Sequence, residues 1–339
     1  MPYLIGMDEA GYGPNLGPLV ISASVWWLPD ELAEADLYDT LADAVCRVAE
    51  VSTARNHVAT GKGAESRKPS QDTARLAIAD SKLLYHGGGD LALLERGLLG
   101  VLGALGHDTC DWRSLWNVLA ATSGAHLEPD PWYAPFDRSL PLACDLQEVR
   151  ASAARLRDVL QATGVRCHAI ASRAVFPEEF NTRCDEFDSK GEALTQFTLE
   201  LLRDMLQPLD PHPVRVTCDK HGGRHYYAGQ LQQLAGDELL EIRRESPAVS
   251  TYRFGPPQRR VEVSFRVGGE QFLPTALASM ASKYLRELAM LPLNEYWCAE
   301  VPELRPTAGY PNDAKRFKRD IAQRQQALAI GDGRLWRTR

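Results

Sequence analysis

The chain has 339 residues, 44% hydrophobic and 24% charged, with 38 Lys plus Arg against 45 Asp plus Glu for a formal charge of −7. At roughly 100–200 residues per domain, this allows two domains or one with large insertions, and it excludes a fibre, a mini-protein and a disordered chain. An acidic balance argues against nucleic acid, which calls for a basic footprint. The charge is uneven, however, because residues 303–339 hold nine Lys/Arg and four Asp/Glu.

In chain order, the first 28 residues read as a hairpin: an apolar run from Tyr3 to Met7, a Gly/Pro/Asn turn, and a second apolar run, Leu19 to Leu28. That second run is far short of the ~20 residues a membrane-spanning helix needs, and Asp8 and Glu9 sit where a signal peptide would be apolar. Seven scattered cysteines form no C-x-x-C pair, which fits reduced thiols. A soluble, cytoplasmic protein is expected. Residues 54–72 are polar with little periodicity and read as a mobile insertion or linker. A helix is predicted near Asp80, a turn at His86 to Asp90, and a helix over Leu91 to Leu105. Residues 108–147, rich in Pro, Trp and Asp, have no simple period and read as an insertion. Then come a helix over 148–163, a strand from Val165 to Ala174, a helix from Leu194 to Leu206 and a short buried strand, Val214 to Cys218. Residues 250–267 alternate like strands, and from Leu273 the apolar positions follow the i, i+3, i+4, i+7 spacing of an amphipathic helix.

The most informative segment is DEAGYGPNLGPLVI, residues 8–21, in which two carboxylates close a strand and run into glycines. Gly11 and Gly13 let a ligand approach bare backbone amides. A Rossmann fingerprint fails, since Gly17 falls one place late, Pro14 and Pro18 intervene, and a strand follows. Acids beside a phosphate-friendly loop would repel phosphate unless a divalent cation lay between them, and hard oxygen ligands suit Mg²⁺ or Mn²⁺. A polar turn with surface acids is the alternative. In ADSKLL, residues 79–84, Asp80 or Ser81 can cap a helix, which leaves Lys82 needing a reason. In VTCDKHGGR, residues 216–224, Asp219 ends a buried strand, where ligands of open α/β sheets collect; a turn residue is the alternative. Cys218, His221 and His225 hint at zinc but lack a fourth ligand.

Together these segments resemble the type 2 ribonuclease H family. Asp8 to Pro14 is similar to its DEAGRGP strand end, Gly17 to Ile21 to its GPLVI, Asp80 to Lys82 to its DSK, Asp219 to its strand-ending Asp, and Ala278 to Lys283 to its A-S-I-x-A-K helix. FPEEFN, residues 176–181, and GYPNDAKRF, residues 309–317, add to the match, the latter resembling archaeal members. The resemblance covers some 200 of the 339 residues and implies one α/β domain of ribonuclease H fold, a mixed five-stranded sheet flanked by helices. Insertions are expected at about 46–72, 108–163 and 225–262, with a basic C-terminal segment at 303–339.

The resemblance implies four carboxylates holding two divalent cations, Mg²⁺ or Mn²⁺, one activating a water and the other stabilising the leaving 3′ oxygen. Asp8, Glu9 and Asp219 map directly. Glu270, after Gly269 and nine residues before Ser279, takes the fourth place; Glu287 competes, but as the i+4 partner of Lys283 it has a structural explanation. Substrate contacts are expected from Gly11, Tyr12, Gly13, Lys82, Lys220, Ser279, Lys283 and Tyr310. Tyr12 stands where the family has Arg, so backbone contacts to a 2′-OH survive while the guanidinium is lost. Lys315, Arg316, Lys318 and Arg319 either follow the duplex backbone or form a solvated helix face, and His221 and Arg224 join Lys220 as phosphate candidates. The expected activity is endonucleolytic cleavage of the RNA strand, or of embedded ribonucleotides, in RNA/DNA hybrids, whose A-form shape and 2′-OH groups are sensed. The rivals are a nuclease for another structured nucleic acid and a non-catalytic nucleic-acid-binding protein.

Overall fold

The two apolar runs around the first turn pair as expected. In the computed structural model, which describes residues 2–47, 75–85 and 89–338, β1 (Tyr3–Ala10) lies antiparallel to β2 (Leu19–Trp27), with Asp8 opposite Ser22. The linker expected at 54–72 and most of the His86 to Asp90 turn lie outside the described residues. β3 (Arg166–Val175), β4 (Val214–Asp219), β5 (Glu241–Glu245), β6 (Val249–Phe254) and β7 (Val261–Arg266) complete a seven-stranded sheet of order β3-β2-β1-β4-β7-β6-β5. β1, β4 and β7 run parallel, and the other neighbours are antiparallel. The stretch read as a third insertion therefore supplies the β5–β6 hairpin, which extends the sheet from five strands to seven.

β1 and β4 sit at the centre, so both of their faces must be covered, and their near-continuous apolar runs satisfy that. One face carries Tyr3, Ile5 and Met7 against α5 (Pro177–Phe187), α6 (Lys190–Leu206) and α7 (Ala228–Ala235). On the other lie α2 (Ala92–Ala104), α4 (Leu146–Thr163) and the long α8 (Leu273–Glu300), together with the one-turn α1 (Ser81–Leu84) and the short α3 (Trp112–Leu119). Among the described residues no helix is long and apolar enough to cross a membrane.

Residues 108–147 have no simple period, yet they are packed rather than loose: Trp112, Trp116 and Tyr133 are buried in the helical layer. Pro292 inside α8 explains part of the attachment. A proline lacks the N–H that would bond the carbonyl four residues back, and that carbonyl, Leu288 O, accepts from the Trp112 indole at 3.1 Å. Trp112→Phe keeps most of the ring but strands a buried carbonyl, and should lower unfolding stability by about 2 kcal/mol in a denaturant titration.

Close approach of α8 to β1 needs Gly6. A Cβ there would overlap the Pro274 and Thr275 backbone, with Pro274 O only 2.5 Å away. Ser24 Oγ donates to that same Pro274 carbonyl at 2.7 Å, so the helix start cannot simply back off. Gly6→Ala should therefore destabilise by about 3 kcal/mol. Thermal unfolding checks this, and a loss below about 1 kcal/mol would mean that the contact yields.

Candidate metal centre

Strand alternation sends Asp8 toward α8 and Glu9 toward the opposite layer. Ser282, at the end of the continuous buried run of α8, bridges the Asp8 carbonyl at 3.0 Å and Ser22 Oγ at 2.8 Å, and Ser22 lies 2.7 Å from Ser172 Oγ. This run of hydroxyls ties β3, β2 and β1 to the helix directly behind Asp8. Asp219 closes β4, the parallel neighbour of β1, so both side chains emerge at the same sheet edge. The single turn Gly269–Gln271, between β7 and α8, delivers Glu270, and the Gly269 N–H donates to Asp219 Oδ1 at 3.2 Å.

Carboxylate oxygens of Asp8, Asp219 and Glu270 lie within 4.8 Å of one another, and among the described residues no other group of three possible metal ligands forms. Asp8 and Glu270 are buried. Glu9 stands beside this trio rather than in it, yet it shares the field. Burial, then the Asp219 charge, push its carboxyl up to about 8. Burial, then the Glu9 charge, raise Asp8 well above the usual carboxylate range, partly opposed by a hydrogen bond from Ser279. Asp219 and Glu270 are also raised, each chiefly by burial. Four mutually repelling carboxylates retain protons until a cation replaces them. The donor set is all hard oxygen, which fits Mg²⁺ or Mn²⁺. Zinc finds no support, because Cys218 points into the core and His221 is buried between Thr195 and Thr198.

Of the other expected site residues, Lys82 is the nearest cation, its Nζ 3.6 Å from Glu270 Oε1 with the side chain 78% exposed. Burial opposes its charge, but Asp80, Glu270, Asp8 and Asp219 outweigh this and hold its pKa above the ordinary lysine value. Asp80 caps α1 by accepting from the Lys82 N–H, and Ser279 Oγ meets Ser81 Oγ at 3.1 Å, so the capping and active-site readings of that segment coexist. Glu287 belongs elsewhere: it pairs with Lys283 at 2.6 Å and accepts from Tyr85 Oη at 3.1 Å. Lys283 Nζ also lies 4.8 Å from the centroid of the Tyr85 ring.

Gly11 has φ +89, and a Cβ there would come within 2.7 Å of Arg286 and of Pro18 O, so the loop folds tightly over Arg286. Gly13 faces Tyr310, which is half exposed at the start of α9 (Pro311–Ala327), and the Asn15 N–H donates to Gly309 O at 2.8 Å. Tyr12 packs beneath the Lys190 ammonium, 4.7 Å from the ring centroid.

Two expectations are corrected. Lys220 is buried, its ammonium donating to Arg224 O at 3.1 Å, Ser246 O at 2.8 Å and Ser250 Oγ at 3.3 Å, while Arg224 pairs with Glu192 and His221 meets the two threonines. That segment holds the β4–α7 loop instead of presenting cations to a phosphate. The cations of the C-terminal segment are largely paired as well: on α9, Arg316 and Arg319 pair with Asp320, Lys318 with Asp332 and Arg324 with Glu300, and beyond the helix Arg334 pairs with Asp130. Asp320 is a local partner on the helix itself, whereas Glu300 and Asp130 reach these cations only through the fold.

No family model matches the sequence, and no curated protein matches it. Compared as a structure, the chain is similar to the ribonuclease HII of Archaeoglobus fulgidus in a complex with PCNA, at 15% identity over 99% of this chain and 94% of the other, with a TM-score of 0.39. It is similar to ribonuclease H2 from Pyrococcus horikoshii OT3 at 14% identity over 98% and 92%, with a TM-score of 0.40. Bst-RNase HIII in complex with Mn²⁺ matches at 12% identity over 99% and 66%, with a TM-score of 0.36. The arrangement of the strands carries the assignment: with three carboxylates gathered where the central strands of a mixed, helix-flanked sheet end, the chain has an α/β ribonuclease H-like fold and resembles a divergent type 2 ribonuclease H.

Proposed function

We propose that this protein is a divalent-metal-dependent endonuclease that hydrolyses the RNA strand, or embedded ribonucleotides, of RNA/DNA hybrid duplexes. The observation that carries the reading is the convergence of Asp8, Asp219 and Glu270 within 4.8 Å, with Glu9 beside them. Asp8, Glu9, Asp219 and Glu270 would hold the cations, Mg²⁺ or Mn²⁺. Bound there, such ions supply a Lewis acid for the scissile phosphate and lower the pKa of an attacking water.

The rest falls to the chain's own groups. Ser279 and the Gly269 N–H orient Asp8 and Asp219. Lys82, exposed above Glu270, is placed to meet a strand phosphate and to screen the acids as the polyanion approaches. Gly11 and Gly13 offer backbone amides without side chains in the way, and Tyr310 presents an exposed ring for a sugar or base beside them. Lys283, held by Glu287, lies further along α8 and supports that side of the site.

The test is a set of labelled duplexes, namely all DNA, RNA/DNA hybrid, and DNA with one ribonucleotide, incubated with Mg²⁺ or Mn²⁺. Cleavage of ribonucleotide-containing duplexes alone is expected. Cutting of a different structured nucleic acid would favour the reading that Tyr12, in place of a cationic fork, redirects the substrate. Binding without any cleavage would overturn the enzyme reading.

A further inference from the structure

The 11–15 loop rests on a group of cations that the metal centre does not use. Asn15 and Arg337 clasp each other through the backbone: the Arg337 N–H donates to Asn15 O at 2.8 Å, and Asn15 Nδ2 donates to Arg337 O at 3.0 Å. This pins Arg337 under the glycine loop and turns its side chain inward. It is 1% exposed. All three of its guanidinium nitrogens are buried and find no hydrogen-bond partner among the described residues.

Its charged neighbours among the described residues have the same sign. Arg286, buried against Gly11, keeps an unpartnered Nε and uses its other nitrogens on Ala308 O at 2.9 Å and Glu287 at 3.3 Å. Lys190 lies over the rings of Tyr12 and Phe180, and the Arg337 guanidinium lies 5.1 Å from the Phe180 centroid. Burial, then the Arg286 charge, pull Arg337 down to about 9, which still leaves it charged at neutral pH. Burial and the Arg337 charge lower Lys190 as well. A buried cation without a counter-ion is heavily destabilising, whereas one matched by an anion in a bidentate fork is not.

We propose that Arg337, with Lys190 and Arg286, forms a binding site for a phosphate group beneath the 11–15 loop, entered past Tyr12 and Lys190. A guanidinium fork beside an ammonium matches a tetrahedral dianion in both charge and geometry. The C-terminus thereby restores a guanidinium near the place where the resemblance leads one to expect Arg and the sequence has Tyr12. The site does not depend on the nuclease reading. Only its assignment to a strand phosphate, rather than to free phosphate, rests on that reading.

Thermal unfolding of the full-length protein in EDTA, with rising inorganic phosphate against chloride at matched ionic strength, tests the site. Phosphate should raise the wild-type melting temperature, and Arg337→Met should weaken apparent phosphate affinity by about tenfold or more. Arg337→Met is also expected to be at least as stable as wild type in chloride, since it removes an unpaired buried charge. If that variant does not fold, Lys190→Met and direct titration of phosphate by calorimetry make the same comparison. Duplex binding by fluorescence anisotropy then separates the sources. Competition by phosphate and a comparable weakening in the variant assign the site to a strand phosphate, and duplex binding that ignores both assigns it to free phosphate. No phosphate response in wild type, or an equal response in the variants, overturns the proposal, whatever the outcome of the cleavage assay.

Discussion

Replacing Asp8 by Asn should reduce metal-dependent cleavage of a ribonucleotide-containing duplex by about 10³-fold or more. The carboxylate sits between Asp219, Glu270 and Glu9 and is buried against α8, so no water-exposed neighbour can take its place. Loss of one well-placed electrostatic group in a site that gathers transition-state charge has an effect of that order. Folding should not suffer, because the substitution removes one of four repelling charges while Asn keeps the shape and the Asp8 backbone carbonyl still meets Ser282. Asp8→Asn should therefore melt at the wild-type temperature or above it without metal. Glu270→Gln should behave in the same way. Glu287→Gln, which removes the charge that meets Lys283, Arg286 and Tyr85 away from the carboxylate trio, should stay within about tenfold of wild type. Single-turnover cleavage at saturating metal decides the matter, and full activity in Asp8→Asn would refute the assignment.

The same carboxylates make stability depend on pH and metal together. All four have folded-state pKa values raised above their unfolded ones, Glu9 to about 8. Between the ordinary carboxylate range and the raised values, the folded state holds more protons than the unfolded chain, so stability falls as pH rises through that window. His221 acts oppositely: burial holds it neutral, with its pKa down at about 3, so its contribution rises with pH up to its unfolded value near 6.5 and is constant above it. In EDTA, the decline between pH 7 and about 8.5 therefore belongs to the carboxylates. Mg²⁺ or Mn²⁺ should offset it, with a melting-temperature gain larger at pH 8 than at pH 5.5, because binding must displace the retained protons. In Glu9→Gln, both the decline and the pH dependence of the gain should shrink. A metal-induced gain independent of pH would show that the cations bind elsewhere.

Much of this site is legible along the chain because its first parts are local. Acids ending an apolar run and followed by glycines place Asp8 and Glu9 at a strand end beside an open loop, and Asp219 repeats the strand-end pattern. Period-2 and period-3.6 apolar spacing brings out β1, β2, β4, α2 and α8 because burial on one face or on two leaves a mark at fixed intervals. The resemblance favours Glu270 by its place after Gly269, and Glu287 has an explanation as the i+4 partner of Lys283. What separates them is that one sits on a turn hydrogen-bonded to Asp219, while the other lies down a helix face beside Lys283 and Tyr85.

The remainder depends on contacts between residues far apart in sequence, and no local pattern records those. Lys220 looks like a phosphate ligand until Ser246 and Ser250, two strands away, claim its ammonium. The basic surplus of residues 303–339 looks like a duplex-binding face until Glu300 and Asp130, from outside the segment, pair with Arg324 and Arg334, beside the pairs that Asp320 and Asp332 make within it. Trp112 looks like part of an insertion until Pro292 leaves it a carbonyl to bond. Local pattern was thus enough for β1, β2, β4, α2, α8 and the three strand-end acids, the mixed sheet flanked by helices followed from the resemblance, and the β5–β6 hairpin came only with the fold. Which charges remain free to act was decided by tertiary structure alone, since a side chain's electrostatic role is set by what stands within a few ångströms of it, and for Arg337 that is a loop more than three hundred residues earlier in the chain.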